Sequence, residues 1–245
     1  MTSPNPPYGR PLAQLVDQME QDIRTQKLKR LFVTGTDTEV GKTYISATLL
    51  KQLRIQAPDL ALTARKPIAS GCTKCPKTGK LHCEDGYQLY QALNQQTPLE
   101  LINPYRFEPA VAPSLALQQA NQILTTQDLY HACLKAANPL DFTLIEGAGG
   151  FYAPISSDGL NSDLAKKLKS PALLVIRDQL GCINHTLLTL QAILDHNLEV
   201  YALVLNFFNP NSSNAQMIQQ AIQTHFASTF KHNISHHFFI NKTCA

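Results

Sequence analysis

The chain has 245 residues, of which 44% are hydrophobic, and this length is enough for one large α/β domain with a full core. Lys and Arg (21) exceed Asp and Glu (18) by only three, and no long basic block occurs, which argues against nucleic acid or an anionic membrane as a partner. Without a long apolar stretch or a secretory signal, we expect a cytosolic protein with six reduced cysteines.

The N-terminal region is predicted to be an extension over residues 1–28, ahead of a domain over 29–245. Prolines at positions 4, 6, 7 and 11 predict loop or disorder at its start. Apolar residues then recur at helical spacing, namely Leu12, Leu15, Val16, Met19 and Ile23. Acidic residues within this stretch argue against a transit peptide, so we expect a helix on the domain surface or at a dimer edge.

The stretch LFVTGTDTEVGKT at 31–43 combines a short apolar strand, a glycine-bounded loop and the start of a helix. Such a loop leaves helix N–H groups unpaired at the positive end of the helix dipole, which is a phosphate site. Lys42 adds a charge for phosphate oxygens, and the Thr43 hydroxyl can ligate Mg²⁺. Five residues separate Gly35 from Gly41 where the common motif has four. The alternative is an ordinary turn between strand and helix.

A second strand is predicted over residues 60–68, with Lys66 near its end and Ser70 just beyond it. Ligands of open α/β sheets bind beyond the carboxyl ends of the strands, so both residues should reach the phosphate loop. A lysine at a strand end is more often solvated than catalytic, and this signal alone favours the solvated interpretation.

The next stretch, CTKCPKTGKLHCED at 72–85, has no periodicity and is predicted to be a loop. Zinc donor types are present at Cys72, Cys75, His82 and Cys83, but their spacing is poor, so we favour free thiols over zinc. Asp85 begins a helical run, where an acid is expected as a cap. It becomes a metal ligand only if the fold brings it beside Thr43. The proline-rich segment 103–116 should cross a surface or line a cleft.

The stretch FTLIEGAGG at 142–150 again places a carboxylate and glycines at the end of an apolar strand. Glu146 has the position of a Walker-B-type acid, which holds Mg²⁺ or its water, and the glycines allow backbone to approach a γ-phosphate. The alternative is a plain exit from a strand into a loop.

Further strand and helix units follow, with strands at 172–175 and 200–207, helices at 182–194 and 215–226, and a closing apolar strand at 238–240. Alternating units of this kind predict an α/β fold, a single domain whose mostly parallel sheet carries helices on both faces. The histidines of the last twenty residues have no ligand-like spacing.

Four motifs, GTDTEVGKT at 35–43, KPIASG at 66–71, EGAGG at 146–150 and GCINH at 181–185, closely resemble the dethiobiotin synthetase family in order and separation. The longer phosphate loop belongs to that family's pattern. The resemblance implies a Rossmann-like P-loop NTPase fold in a homodimer. It also implies that 7,8-diaminopelargonate, CO₂ and ATP become dethiobiotin, ADP and phosphate through a carbamate and a mixed anhydride.

The resemblance also implies residue roles. Lys66 is the expected catalytic lysine, with Lys42 as a second cation, and Thr43, Asp85 and Glu146 are the expected Mg²⁺ ligands. The expected nucleotide contacts are Glu39, Val40, Gly41, Lys42, Thr43, Tyr44, Asp85, Glu146, Gly147, Ala148, Gly149 and the base-reading Asn206. The expected substrate contacts are Thr38, Ser70, Gly181, Ile183 and Asn184, of which the last three belong to a loop that faces the dimer partner.

The chain departs from the family pattern at two places. Ala112, Pro113 and Ser114 replace a usual Pro-His, and the family's base-closing loop is not recognisable in 228–245, which leaves base selectivity open. Two other functions fit the sequence less well. An amidoligase of cobalamin synthesis would need a glutaminase domain, and a partitioning ATPase would need a lysine at the start of the phosphate loop, where Thr34-Gly35-Thr36 has none.

Overall fold

A computed structural model describes residues 9–138, 140–207, 209, 211–226 and 238–241. Three parts of the sequence analysis lie outside these ranges. They are the first prolines (Pro4, Pro6 and Pro7), predicted to be in loop or disorder, most of 228–245, where the base-closing loop is expected, and His232, His236 and His237. Over the described residues, no helix combines the length and apolar character needed to cross a bilayer.

Strands and helices alternate along most of the chain. In chain order the strands are β1 (Arg10–Pro11), β2 (Arg30–Gly35), β3 (Leu62–Arg65), β4 (Ile68–Ala69), β5 (Thr73–Lys74), β6 (Leu81–His82), β7 (Tyr105–Arg106), β8 (Phe142–Gly150), β9 (Ala172–Arg177), β10 (Val200–Asn206) and β11 (Phe238–Ile240). The helices are α1 (Leu12–Arg24), α2 (Lys42–Gln56), α3 (Glu84–Ala92), α4 (Leu99–Ile102), α5 (Pro113–Gln119), α6 (Thr126–Leu134), α7 (Asn161–Leu168), α8 (Cys182–Asp195) and α9 (Asn214–Phe226).

Seven strands form one sheet in the order β1-β11-β10-β9-β2-β8-β3, and its pairings are parallel. Successive side chains of a strand point to opposite faces, and here both faces are apolar. Leu31 and Val33 pack in the core with α1, α2 and α3, whereas Phe32 packs in the opposite core with α5 to α9. The predicted α/β fold with helices on both faces is confirmed.

The N-terminal stripe forms α1, and its five predicted apolar residues are all buried. Upstream of α1, β1 pairs with β11 at the edge of the main sheet. Arg24 near the end of α1 also bonds both carboxylate oxygens of Asp59, at 2.7 and 2.9 Å. Helix α1 therefore covers the sheet beside α2, and β1 extends the sheet at its edge.

The prediction of an unstructured loop over 72–85 is wrong, because β5 and β6 pair there as an antiparallel hairpin. The Cys75 N–H bonds the Lys80 carbonyl at 2.9 Å, and Gly79 turns the chain with a positive φ of 67°. The strands were missed because they are short and polar and lack the alternation of a half-buried strand. Cys72, Cys75 and Cys83 form no disulfide. The preference for free thiols over zinc at these residues stays a prediction.

Candidate active site

The phosphate loop joins β2 to α2 and closes tightly on itself. Gly41 precedes α2 with φ of 90°, a left-handed conformation that glycine adopts without strain. A Cβ on Gly35 would lie 2.6 Å from Val40 Cγ2, which leaves no room for a side chain. Lys42 Nζ donates to the Asp37 carbonyl at 2.9 Å, so the loop wraps around the lysine. The first N–H groups of α2 lie beside this loop, which is the arrangement that a phosphate site requires.

The end of β3 and the middle of β8 meet beside this loop at a buried ion cluster. The prediction that the strand ends at Glu146 is wrong, because β8 continues to Gly150. Lys66 is 3% exposed, and its Nζ lies 2.8 Å from Glu146 Oε1 and 2.9 Å from Asp85 Oδ2. It also donates to the Gly147 carbonyl at 3.1 Å. The Thr43 hydroxyl donates to Glu146 Oε1 at 2.6 Å. The phosphate loop, β3, α3 and β8 thus converge on one ammonium group.

The charges of the cluster shift the pKa values of its members. Burial alone lowers the pKa of Lys66, but the charges and hydrogen bonds of Glu146 and Asp85 outweigh it and raise that pKa above its usual value. The charge of Lys66 in turn lowers the pKa of Asp85 against a smaller effect of burial. Lys42 lacks such a close carboxylate, so burial and then the charge of Lys66 lower its pKa to about 8.

The donor set fits Mg²⁺. Its oxygens come from two carboxylates, Asp85 and Glu146, and one hydroxyl, Thr43, and Glu146 Oε2 is buried without a hydrogen-bond partner among the described residues. The described part of the chain contains no group of three or more His, Cys, Asp or Glu side chains that could hold a metal ion. Mg²⁺ commonly binds one or two carboxylates and takes its other ligands from water and substrate phosphates. This holds also for the cysteine-rich β5–β6 hairpin, whose described residues form no such group for zinc.

One cavity of about 340 Å³ collects most of the predicted site residues. Those that line it are Thr38, Glu39, Gly41, Lys42, Thr43, Tyr44, Lys66, Ser70, Asp85, Ala148 and Gly149. Ala69 and Gln88 also line it and were not predicted. Gln88 follows Asp85 by three residues on α3, a spacing that puts both on one helix face and could have indicated it.

Other predicted residues lie behind the cavity or away from it. Asn206 is fully buried and donates to the Val40 carbonyl at 3.0 Å, while its Oδ1 accepts from Asn241 at 2.8 Å. In this structure it supports the phosphate loop, so its base-reading role stays a prediction. Gly181 precedes α8, and Ile183 and Asn184 lie in its first turn. None of the three lines this cavity. Their role at a partner's site also stays a prediction.

A parallel sheet covered by helices, with a phosphate loop and the acidic residue of a neighbouring strand converging at one cavity, defines a P-loop nucleotide-binding protein of the α/β class. A family model described as an AAA domain matches residues 29–233. The chain belongs to the ATP-dependent dethiobiotin synthetase family, a family of ligases, as the following relatives show.

The curated relatives are similar over most of their length. An ATP-dependent dethiobiotin synthetase of Marinobacter nauticus is 42% identical over 71% of this chain and 74% of its own. One from Pseudomonas aeruginosa is 42% identical over 74% and 78%, and one from Aeromonas hydrophila is 37% identical over 77% and 82%. Among solved structures, a ParA family ATPase from Chlorobium tepidum aligns with a TM-score of 0.49 and 14% identity over 88% of this chain and 85% of its own.

Proposed function

We propose that this chain forms dethiobiotin from 7,8-diaminopelargonate, CO₂ and ATP, with release of ADP and phosphate. Family membership supports the reaction class. The observation that carries the proposal for this chain is the buried Lys66, held 2.8 and 2.9 Å from Glu146 and Asp85 in the cavity that the phosphate loop lines. A charged lysine at this place suits a reaction between two anions.

The proposed path has three steps. One amine of the diamine attacks CO₂ and loses a proton, which gives a carbamate. A carbamate oxygen then attacks the γ-phosphorus of ATP, the bond from that phosphorus to the β–γ bridging oxygen breaks, and ADP leaves. The second amine attacks the carbonyl carbon of the resulting carbamic–phosphoric anhydride, so phosphate leaves and the cyclic urea closes after loss of a proton.

The protein's part in this path is charge neutralisation and alignment. The carbamate and the γ-phosphate repel each other, and two ammonium groups, Lys42 and Lys66, would reduce that repulsion within one cavity. The raised pKa of Lys66 keeps its ammonium charged at neutral pH. Thr43, Asp85 and Glu146 would hold Mg²⁺, which would neutralise part of the phosphate charge. Holding both reactants at bonding distance lowers the entropic cost of the transfer step.

The remaining predicted contacts complete the proposal. Thr38 and Ser70 line the cavity and would bind the diamine or carbamate, while the backbone of 147–149 would approach the γ-phosphate. Gly181, Ile183 and Asn184 would serve the site of a second subunit in a homodimer. Asn206 would read the base. We further propose a cytoplasmic enzyme that needs neither nucleic acid nor a membrane.

Ring formation is the direct test. Purified protein with ATP, Mg²⁺, bicarbonate and 7,8-diaminopelargonate should release dethiobiotin, detected by mass spectrometry, in step with ADP. Lys42→Ala should abolish product, because a charge on the phosphate oxygens is lost. Lys51→Ala is the matched control, since Lys51 lies on the exposed side of the same helix.

Two results would contradict the proposal. The first is ATP turnover that ignores the diamine and bicarbonate and rises with DNA or liposomes, as for a partitioning ATPase. The second is glutamine-dependent amidation of an acid substrate without ring formation, as for an amidoligase.

A further inference from the structure

The proline-rich segment after α4 begins with a residue buried beneath the active site. Asn103 is fully buried, and its Nδ2 donates to the carbonyl of Lys66 at 2.6 Å. The preceding residue, Ile102, accepts the N–H of Lys66, also at 2.6 Å. Two consecutive residues therefore hold both backbone polar groups of the lysine that pairs with Glu146 and Asp85.

Asn103 also packs against the helix that carries Asp85. A Cβ on Gly86, the next residue of α3, would lie 2.7 Å from Asn103 Cβ and 3.0 Å from its Oδ1. Such distances are shorter than Cβ atoms tolerate, so glycine at this position lets α3 approach the asparagine. Asn103 thus bonds the backbone of Lys66 and packs against Gly86, the residue that follows Asp85.

The amide of Asn103 is only half satisfied. Its Oδ1 is buried and has no hydrogen-bond partner within the described part of the chain. A buried acceptor without a partner destabilises a protein, so a residue of this kind calls for a compensating role. The short bond from Nδ2 to Lys66 is the contact that such a role would use.

We propose that Asn103 is a positioning residue that sets the distance between the Lys66 ammonium and the Asp85 carboxylate. The inference rests on the proposed function for the roles of those two groups. Without the Nδ2 bond, the end of β3 and the first turn of α3 shift relative to each other. A displacement of about 1 Å at reacting groups is enough to lower a rate by about 100-fold.

Kinetics of two variants test the role. Asn103→Asp keeps the shape but loses the donor to Lys66, and Gly86→Ala keeps the donor but pushes α3 away. Both should lower kcat for dethiobiotin formation by about 10- to 100-fold and leave KM for ATP within about twofold. The matched control is Thr63→Val, which removes one side-chain bond to Thr143, 3.0 Å long, on the same strand β3. Its kcat should stay within about twofold of the wild type.

Crystal structures of the variants give a readout that does not depend on activity. The separation between Lys66 Nζ and Asp85 Oδ2, 2.9 Å here, should exceed the 4.0 Å limit of an ion pair. If Asn103→Asp does not fold, Gly86→Ala decides. If the pair separates in the variants while the wild type makes no dethiobiotin, the positioning role stands and the proposed function fails.

Three results would overturn the positioning role. One is an unchanged Lys66–Asp85 separation in the variants. Another is a kcat within about twofold of the wild type in a folded variant. The third is an equal loss of kcat in Thr63→Val, which would show that any weakened bond along β3 has the same effect.

Discussion

At the scale of single residues, burial decides which role is inferred for Lys66. Its place at a strand end, considered alone, predicts a solvated side chain. That prediction is wrong, because Lys66 is 3% exposed. A buried ammonium is destabilising unless it is paired, and here two carboxylates from separate elements pair with it. The arrangement keeps a positive charge beside the phosphate loop.

Replacement of Lys66 should separate chemistry from binding. Lys66→Ala is expected to lower turnover by about 100-fold or more, because the charge that we propose to act on the reacting oxygens is lost. The dissociation constant for ATP should change by less than about threefold, since Lys42 and the loop backbone remain. Steady-state kinetics and calorimetric titration with ATP measure the two quantities.

The control for this prediction is Lys74→Ala, which removes an exposed lysine from the nearby β5–β6 hairpin. Both variants should be assayed with saturating Mg²⁺, because loss of Lys66 leaves Glu146 buried without its cation. Unchanged turnover in a folded Lys66→Ala protein would remove the role assigned to this lysine.

At the scale of elements, the glycine-rich end of β8 depends on a helix that follows it. Asn161, the first residue of α7, donates to the carbonyls of Ala148 at 2.7 Å and Gly150 at 2.8 Å. Its Oδ1 accepts the Ala148 N–H at 3.3 Å. The glycine-rich end of β8 therefore has a set shape, which fits the proposed approach of its backbone to phosphate.

Gly147→Ala should disturb this end of β8. The added Cβ would lie 2.6 Å from Asn161 Oδ1, so either Asn161 or the backbone at 147 must shift. Because Gly147 also accepts the bond from Lys66, we expect turnover to fall about tenfold or more. Thermal unfolding should show a loss of about 1–3 kcal/mol in stability.

Gly150→Ala is the matched control at the same end of β8. Its added Cβ would make its nearest contact at 3.5 Å, an ordinary van der Waals distance. Its effect on turnover and unfolding should be clearly smaller than that of Gly147→Ala. Equal effects would mean that backbone freedom, not the contact with Asn161, explains the glycine at 147.

At the scale of the whole molecule, the N-terminal region is tied into the sheet and the core. The strand β1 continues the sheet beyond β11, and α1 buries its apolar stripe against α2 and the strands. We propose that the described part of this region, residues 9–28, extends the domain that begins at residue 29 and unfolds together with it. The ion pair of Arg24 with Asp59 joins the two stretches at the surface.

Met19→Ala tests this joint unfolding. Met19 is fully buried, and its removal should lower the free energy of unfolding by about 2–5 kcal/mol in a single transition. Gln21→Ala, on the exposed side of α1, should change it by less than about 0.5 kcal/mol. Denaturant titration followed by circular dichroism measures both. A separate early transition that alone responds to Met19→Ala would show that the extension folds independently.

Local patterns were sufficient for much of the fold. Alternating apolar strands and amphipathic helices predicted a parallel sheet with covered faces, and the glycine spacing around Lys42 predicted the phosphate loop. These features could be predicted from the sequence because each depends on residues that lie close together along the chain. Short polar strands such as β5 and β6 escaped the same method.

The active site could not be assembled in this way. Lys66 bonds Glu146 across 80 positions, and Thr43 bonds the same carboxylate across 103. These contacts exist because β2, β8 and β3 are neighbours in a parallel sheet, so their carboxyl ends share one edge. Nothing in the amino-acid order alone states which strands are adjacent. Strand order and burial, which arise from packing the whole chain, therefore decided that Lys66 is an ion-paired interior group and that Asn103 lies beneath it.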